Sequence, residues 1–307
     1  MQQFGRFFLH GRIARGGMCD VFRVRTADGE PHSGDLVLKC LMPQMDRHPA
    51  ALRMFINEGE IGATLRHPNL VRVYEQGVLE GRHYLLMEHV HGLDLSALIH
   101  QSRLREHPVP WGMSIHIICQ VLSGLEYAHF ATRADGQPLG LIHRDVSPDN
   151  IYCTVEGAVK LGDFGIAKFS ALEPFTDPRM GIRGKLLYMA PERIRGEIHD
   201  GRSDTFSAAI LLYELLAGTQ PYAAREGESL YALSQRIARA EIPRLRKVAP
   251  DISKKLDAVV MKSLEAEPSS RHPTCQAFAA ELLDVARSDR LVATPADVAA
   301  LVAALMR

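Results

Sequence analysis

The sequence predicts an α+β fold of two lobes, a small β-rich one followed by a larger, mainly helical one, on three observations. The chain has 307 residues, about twice the roughly 150 residues of a common single domain. Its first ninety residues read mainly as short β-type runs, and those after Asp94 mainly as helical periodicities. Its composition, 46% apolar and 23% charged, is that of an ordinary globular chain able to build a core.

The β-type runs fall at residues 7–13, 21–25, 36–41, 70–74 and 83–89, separated by Gly, Asp and Pro turn signals. One helix interrupts them. Leu52, Phe55, Ile56 and Ala63 recur at helical spacing between residues 50 and 65, and His67-Pro68-Asn69 stops the pattern. The boundary falls near residues 89–92, which sets an N-lobe at 7–89 and a C-lobe at 90–287. In the C-lobe, residues 111–130 carry Ile115, Ile118, Val121, Leu122 and Leu125 along one face. Residues 204–218 are apolar almost all round, the mark of a helix inside a core. Further helices are expected at 228–239, 253–264 and 274–287. Residues 288–307 read as a linker and a last helix opened by Thr294-Pro295, an N-cap followed by proline. Val298, Leu301, Val302 and Leu305 give that helix an apolar face that has to be buried, on the same chain or on a partner.

Charge names no partner, because 36 basic residues balance 36 acidic ones and leave no footprint for nucleic acid or an anionic membrane. The five cysteines (Cys19, Cys40, Cys119, Cys153, Cys275) are odd in number and widely spaced, which fits neither a disulfide framework nor a zinc site. Reduced thiols and a cytoplasmic location are expected. Residues 1–9 hold no secretory apolar run, and no apolar stretch reaches the ~18 residues of a membrane helix. The nearest such stretch, 208–218, is interrupted by Glu214. Fourteen histidines are scattered without metal-binding spacing.

Ile13-Ala14-Arg15-Gly16-Gly17-Met18-Cys19-Asp20-Val21 lies between two β-type runs, where glycines let backbone amides approach a phosphate chain. By themselves, two glycines in a hairpin more often make a plain turn. Lys39 stands in the run Leu36-Val37-Leu38-Lys39, and Glu58 follows nineteen residues later on the helix. Held on separate elements, the two can pair and present an ammonium to phosphate oxygens. Glu60 falls on a different helix face. His143-Arg144-Asp145-Val146-Ser147-Pro148-Asp149-Asn150 places a carboxylate and a carboxamide five residues apart on a loop, and Asp163-Phe164-Gly165 begins thirteen residues past Asn150. Two carboxylates and an amide are hard oxygen ligands of the kind that hold magnesium at a nucleotide.

In this order, and continued by Ala190-Pro191-Glu192, Asp204 and Arg271, these motifs resemble the eukaryotic-like protein kinase family over roughly residues 7–287. The resemblance implies the bilobal protein kinase fold, ATP and magnesium as cofactors, and protein substrates with a regulatory protein as partners. It implies neither nucleic-acid binding nor membrane insertion. Ile13, Ala14, Gly16, Gly17 and Val21 would then line the phosphate loop, and Lys39 would contact phosphates and pair with Glu58. Met87 would border the adenine pocket, with Glu88, His89 and Val90 as hinge backbone. Asn150 and Asp163 would hold magnesium, and Asp145 would accept the proton of the substrate hydroxyl. Glu192 with Arg271, and Asp204, would be structural ties.

Three departures from the family pattern matter. Ala14 and Cys19 replace glycines of the phosphate loop. Ser147 stands where serine/threonine kinases usually carry a lysine that contacts the transferred phosphate, and Lys185 stands where they usually carry threonine. A lysine and a hydroxyl would thus be exchanged rather than lost, which adds Ser147 and Lys185 to the catalytic residues. The combination resembles soluble bacterial serine/threonine kinases. A serine/threonine protein kinase is expected, while a pseudokinase acting as a binding module and a small-molecule phosphotransferase stay open. Keeping Lys39, Asp145, Asn150 and Asp163 favours an active enzyme, and Ala190-Pro191-Glu192 favours a peptide platform. In the activation segment, 163–192, the hydroxyl residues are Ser170, Thr176 and Tyr188, and Thr176 is the candidate for a phosphate paired with Arg144.

Overall fold

Alternation of apolar side chains in the first ninety residues builds an antiparallel sheet with two buried faces. The structure, a computed structural model, describes residues 2–26, 32, 35–133, 135–163, 182–223 and 225–307. Two compact units divide the described chain after His91. The first contains β1 (Gln2–Phe4), β2 (Phe7–Arg15), β3 (Cys19–Thr26), β4 (Leu36–Leu41), α1 (Pro43–Asp46), α2 (Pro49–Thr64), β5 (Val73–Leu79) and β6 (Arg82–Glu88). Its six strands run in the order β1-β2-β3-β4-β6-β5. On one face Phe7, Val24, Leu36, Leu38 and Leu86 form a core. On the other, Leu41, Leu85 and Met87 pack with Phe55 of α2.

The same alternation decides where Lys39 points. It shares a face with Leu41, pairs in register with Leu85 of β6, and so lies on the side that α2 covers. Two glycines bring α2 down onto the sheet. A Cβ at Gly59 would sit 2.5 Å from Leu85 Cδ2, and one at Gly62 would sit 2.5 Å from Val73 Cγ2.

The second unit contains β7 (Gly92–Asp94), α3 (Leu95–Leu104), α4 (Trp111–His129), β8 (Ile151–Thr154), β9 (Val159–Leu161), α5 (Ile182–Leu186), α6 (Pro191–Ile194) and α7 (Arg202–Ala217). It continues with α8 (Leu230–Ala238), α9 (Leu245–Val248), α10 (Lys254–Ser263), α11 (Cys275–Ser288) and α12 (Pro295–Leu305). Strands β7, β8 and β9 form a small antiparallel sheet. Helix α7 is buried from Ser203 to Leu216, as a helix apolar on every side must be. It ends at Gly218, whose φ of 69° provides the left-handed stop. Asp94, Ser229, Ser253 and Thr274 each cap the helix that follows by accepting a backbone N–H.

The structure corrects the sequence reading in places. The strand expected at 70–74 is shifted: β5 runs from Val73 to Leu79 and takes in only the last two residues of that run, continuing into the polar pair Glu75 and Gln76. It is the edge strand of its sheet, so one side faces solvent and its apolar signal is weak. Strands β1, β7, β8 and β9 were not expected, and at three or four residues each they are too short to show a period. No helix among the described residues is long and apolar enough to cross a membrane.

In residues 288–307 a short non-helical stretch leads into α12, whose apolar face is buried on the same chain rather than left for a partner. Val298, Leu301, Val302 and Leu305 of α12 are buried within the second unit, and Arg105, just past α3, donates to the carbonyls of Ala304 and Leu305. The turn between β8 and β9 admits the helix start because Gly157, at φ 88°, has no Cβ; one there would lie 1.8 Å from Pro295 O. Each buried aliphatic side chain stabilises by about 1.5–3 kcal/mol, less the entropy of ordering the segment. Deleting residues 294–307 is therefore expected to cost roughly 2–4 kcal/mol and to lower the melting temperature by about 5–10 °C. A truncated chain melting with the full one would show that α12 is not part of the folded core.

Candidate active site

In the first unit, Lys39 on β4 and Glu58 on α2 meet, with Nζ 2.7 Å from Oε1. Both side chains are about 15% exposed, at 15% and 14%, so the pair is shielded enough to fix the lysine's direction without removing it from reach. Glu60, two residues on, is exposed. The hairpin between β2 and β3 closes with Gly16 N donating to Cys19 O at 2.9 Å. A Cβ at Gly16 would meet only that carbonyl, at 3.6 Å. The hairpin itself therefore does not require glycine there. Ile13, Ala14, Gly16 and Gly17 are exposed and Val21 is half-buried. Cys19 is turned into the core beside Leu41 and Phe55, so its thiol is a packing group. Met87 is buried in that same core, while Glu88, His89 and Val90 are half-buried.

In the second unit the loop 143–150 is held from below by one buried carboxylate. Asp204, in the first turn of α7, accepts the backbone N–H of His143 at 2.7 Å and of Arg144 at 2.9 Å. It also bonds His129 Nε2, from the last turn of α4, at 2.8 Å. Burial opposes ionisation of Asp204, but the hydrogen bond and charge of His129, with the backbone N–H of Arg144, outweigh it and hold its pKa down. Burial likewise opposes the charged form of His129, yet the bond to Asp204 pushes its pKa up to about 10. The bond to Asp204 thus favours the protonated form of His129. His143 is the opposite case. Fully buried, its pKa is lowered by desolvation. Its Nδ1 accepts from Asp145 N at 3.2 Å, so Nε2 carries the proton and donates to Gly162 O at 3.0 Å.

On this platform three predicted residues come together. Asn150 Nδ2 donates to Asp145 O at 2.7 Å and to Asp145 Oδ2 at 3.0 Å. Lys185 Nζ reaches the same Oδ2 at 2.6 Å. Ser147 is 2% exposed, and its Oγ is buried with no hydrogen-bond partner among the described residues. The Asn150 amide nitrogen is thus committed to Asp145. Asp163 follows β9 with φ 49°, and Arg144 has φ 65°. Left-handed backbone at a non-glycine residue costs about 1–3 kcal/mol, and Glu80, Glu106, Ala240 and Arg290 share it. Phe164, Gly165, Ser170 and Thr176 lie outside the described residues.

The ties named in the sequence are present. Glu192 and Arg271 form a bidentate pair, at 2.9 and 2.7 Å, with side-chain exposures of 2% and 0%. Sequence reasoning missed His129, Arg193 and the Glu214 cluster. Arg193, of lowered pKa because burial opposes its charge, donates to Arg144 O. Glu214 sits in α7, bonded to Tyr188 OH at 2.7 Å and Arg103 at 2.9 Å. The charge that breaks the apolar run 208–218 was its signal, since a carboxylate inside an all-apolar helix needs partners. Nothing in the sequence marks His129 among fourteen histidines.

Comparison with known proteins gives one consistent answer. Residues 8–295 match the model of the protein kinase domain. The chain is 35% identical over 280 residues to the tyrosine-protein kinase MasK of Myxococcus xanthus, covering 91% of this chain and 43% of that one. It is 32% identical to the serine/threonine-protein kinase PknB of Mycolicibacterium smegmatis, over 95% of this chain and 47% of that one. The chain thus spans less than half the length of these relatives. Among solved structures, the Mycobacterium tuberculosis PknI kinase domain aligns with a TM-score of 0.68 at 28% identity, over 93% of this chain and 98% of that one.

Proposed function

The chain belongs to the protein kinase domain family, and from that premise we propose that it transfers the γ-phosphoryl group of ATP, with magnesium, to serine and threonine hydroxyls of protein substrates. The observation that carries this reading is the carboxylate of Asp145, held at one oxygen by Asn150 and Lys185 on a loop whose backbone Asp204 fixes. A loop kept only to bind would have no need of so constrained a carboxylate.

Magnesium and the nucleotide supply the phosphoryl group and the charge that neutralises it. The chain's residues do the rest. Asp145 accepts the proton of the acceptor hydroxyl and aims its oxygen in line. Asn150 holds Asp145 through its nitrogen and would offer Oδ1 to the metal, as Asp163 would offer its carboxylate. Lys39, steered by Glu58, binds phosphate oxygens. Gly16 and Gly17 allow backbone amides to approach the phosphates, with Ile13, Ala14 and Val21 beside them, and the segment Met87 to Val90 takes the base. These residues suit the groups by chemistry: hard oxygens for the metal, a paired ammonium and open backbone for phosphate.

Serine/threonine specificity is favoured by the loop Ser147-Pro148-Asp149, which resembles that form of the family, and by relatives such as PknB that are named serine/threonine kinases. The name of MasK favours tyrosine as the second reading. Mass spectrometry of a protein mixture phosphorylated by this chain decides between them. Phosphoserine and phosphothreonine are expected to dominate, and phosphate mainly on tyrosine would overturn the first reading.

A further inference from the structure

We propose that Lys185 is a catalytic residue of this phosphotransfer, serving the transferred phosphoryl group from the acceptor side. This inference rests on the reading above. Its ammonium sits 2.6 Å from Asp145 Oδ2, the oxygen that Asn150 also holds. A surface lysine paired with a surface aspartate contributes little. Here the acid is 7% exposed and fixed, while the lysine is 39% exposed and keeps an open side. An ammonium has three donors, of which one goes to Asp145 Oδ2. A cation bound to the carboxylate that orients the attacking hydroxyl lies beside the phosphoryl group that hydroxyl attacks, where charge spreads over the equatorial oxygens. Ser147, two residues past Asp145, offers a buried hydroxyl that has no partner among the described residues and carries no charge, so the loop itself brings no cation to this carboxylate at that position.

The route by which the charge arrives has a consequence for control. Lys185 belongs to α5, and the residues just after it are anchored on the second unit's core. Gln220 Nε2 donates to Leu187 O at 2.9 Å, and Tyr188 OH donates to Glu214 Oε2 at 2.7 Å. Burial and the adjoining Glu214 carboxylate raise the Tyr188 pKa, which keeps it a donor. The ion pair therefore both supplies charge and ties the substrate-side segment to the catalytic loop.

The test uses the full chain with a protein acceptor, and separates chemistry from binding. Lys185→Thr is expected to lower kcat by about a hundredfold or more while the Kd of a non-hydrolysable ATP analogue changes by less than about threefold. Without nucleotide, Lys185→Thr should melt below wild type, because a buried carboxylate loses its cation. Ser147→Lys combined with Lys185→Thr returns a cation to the loop and should recover part of kcat. If the double variant does not fold, the single variant decides. A kcat for Lys185→Thr within about threefold of wild type overturns the proposal, as does a loss of nucleotide affinity equal to the loss of kcat. A folded double variant no better than the single also overturns it. Absence of any transfer by the wild-type chain would instead remove the phosphotransfer reading itself.

Discussion

Asp145→Asn and Lys39→Met are each expected to reduce phosphoryl transfer by about 10²–10⁴-fold, equivalent to roughly 3–5 kcal/mol of transition-state stabilisation. The amide of Asn cannot take the acceptor's proton, although it keeps the shape that Asn150 and Lys185 bind. Methionine keeps the length of Lys39 but leaves Glu58 without the ammonium 2.7 Å away and the phosphates without their clamp. The two variants should differ in kind. Asp145→Asn should spare nucleotide affinity, whereas Lys39→Met should weaken it. Rates measured beside circular dichroism spectra check both, and wild-type turnover in either folded variant would contradict the assigned role.

The second large effect concerns stability. Arg271 and Glu192 are bonded through two parallel contacts with almost no exposure, and Arg271 also donates to the carbonyls of Arg202, Glu265 and Ala266. Removing one partner leaves a charge buried without compensation, which costs about 3–5 kcal/mol. Glu192→Gln should therefore lower the melting temperature by about 6–20 °C. Burial alone would raise the Glu192 pKa, but the hydrogen bonds and charge of Arg271 outweigh it and the pKa is lowered. Its contribution is thus present above the ordinary carboxylate range and is lost as pH falls through the depressed value. Wild type should lose stability in acid more steeply than Glu192→Gln. Parallel melting curves for the two proteins at every pH would show that the pair contributes nothing.

Much of the site was legible because its residues lie in short contiguous motifs whose chemistry is local. Asp145 and Asn150 are five residues apart, and the loop between them is short enough that they must be neighbours. Lys39 and Glu58 were legible for another reason: the family resemblance, through the spacing to His67-Pro68-Asn69, selects Glu58 over Glu60, and the structure pairs Glu58 with Lys39 and leaves Glu60 exposed. What the sequence hid depends on long-range placement. His129 and Asp204 are 75 residues apart, and Arg103 and Glu214 are 111 apart. No period or spacing links such pairs; only the packing of α4, α3 and α7 brings them together. The fold followed the same division. Long amphipathic or all-apolar helices such as α4, α7 and α11 announced themselves. The three-residue strands β7 and β9 exist because the chain beside them supplies their hydrogen bonds.

The docked α12 belongs to both groups. Its cap and apolar face were visible as a sequence pattern, and the structure confirms the capping box of Thr294 and Asp297. Its destination was not visible, because it depends on a missing Cβ at Gly157 and on Arg105 meeting the helix's last carbonyls.

The most direct test of the phosphotransfer account is label transfer from γ-labelled ATP to a protein acceptor by the wild-type chain, with magnesium and with the metal chelated. Label is expected on acceptor serine and threonine with magnesium and on none without it. Nucleotide binding with no label on any acceptor, in the presence of magnesium, would contradict the account.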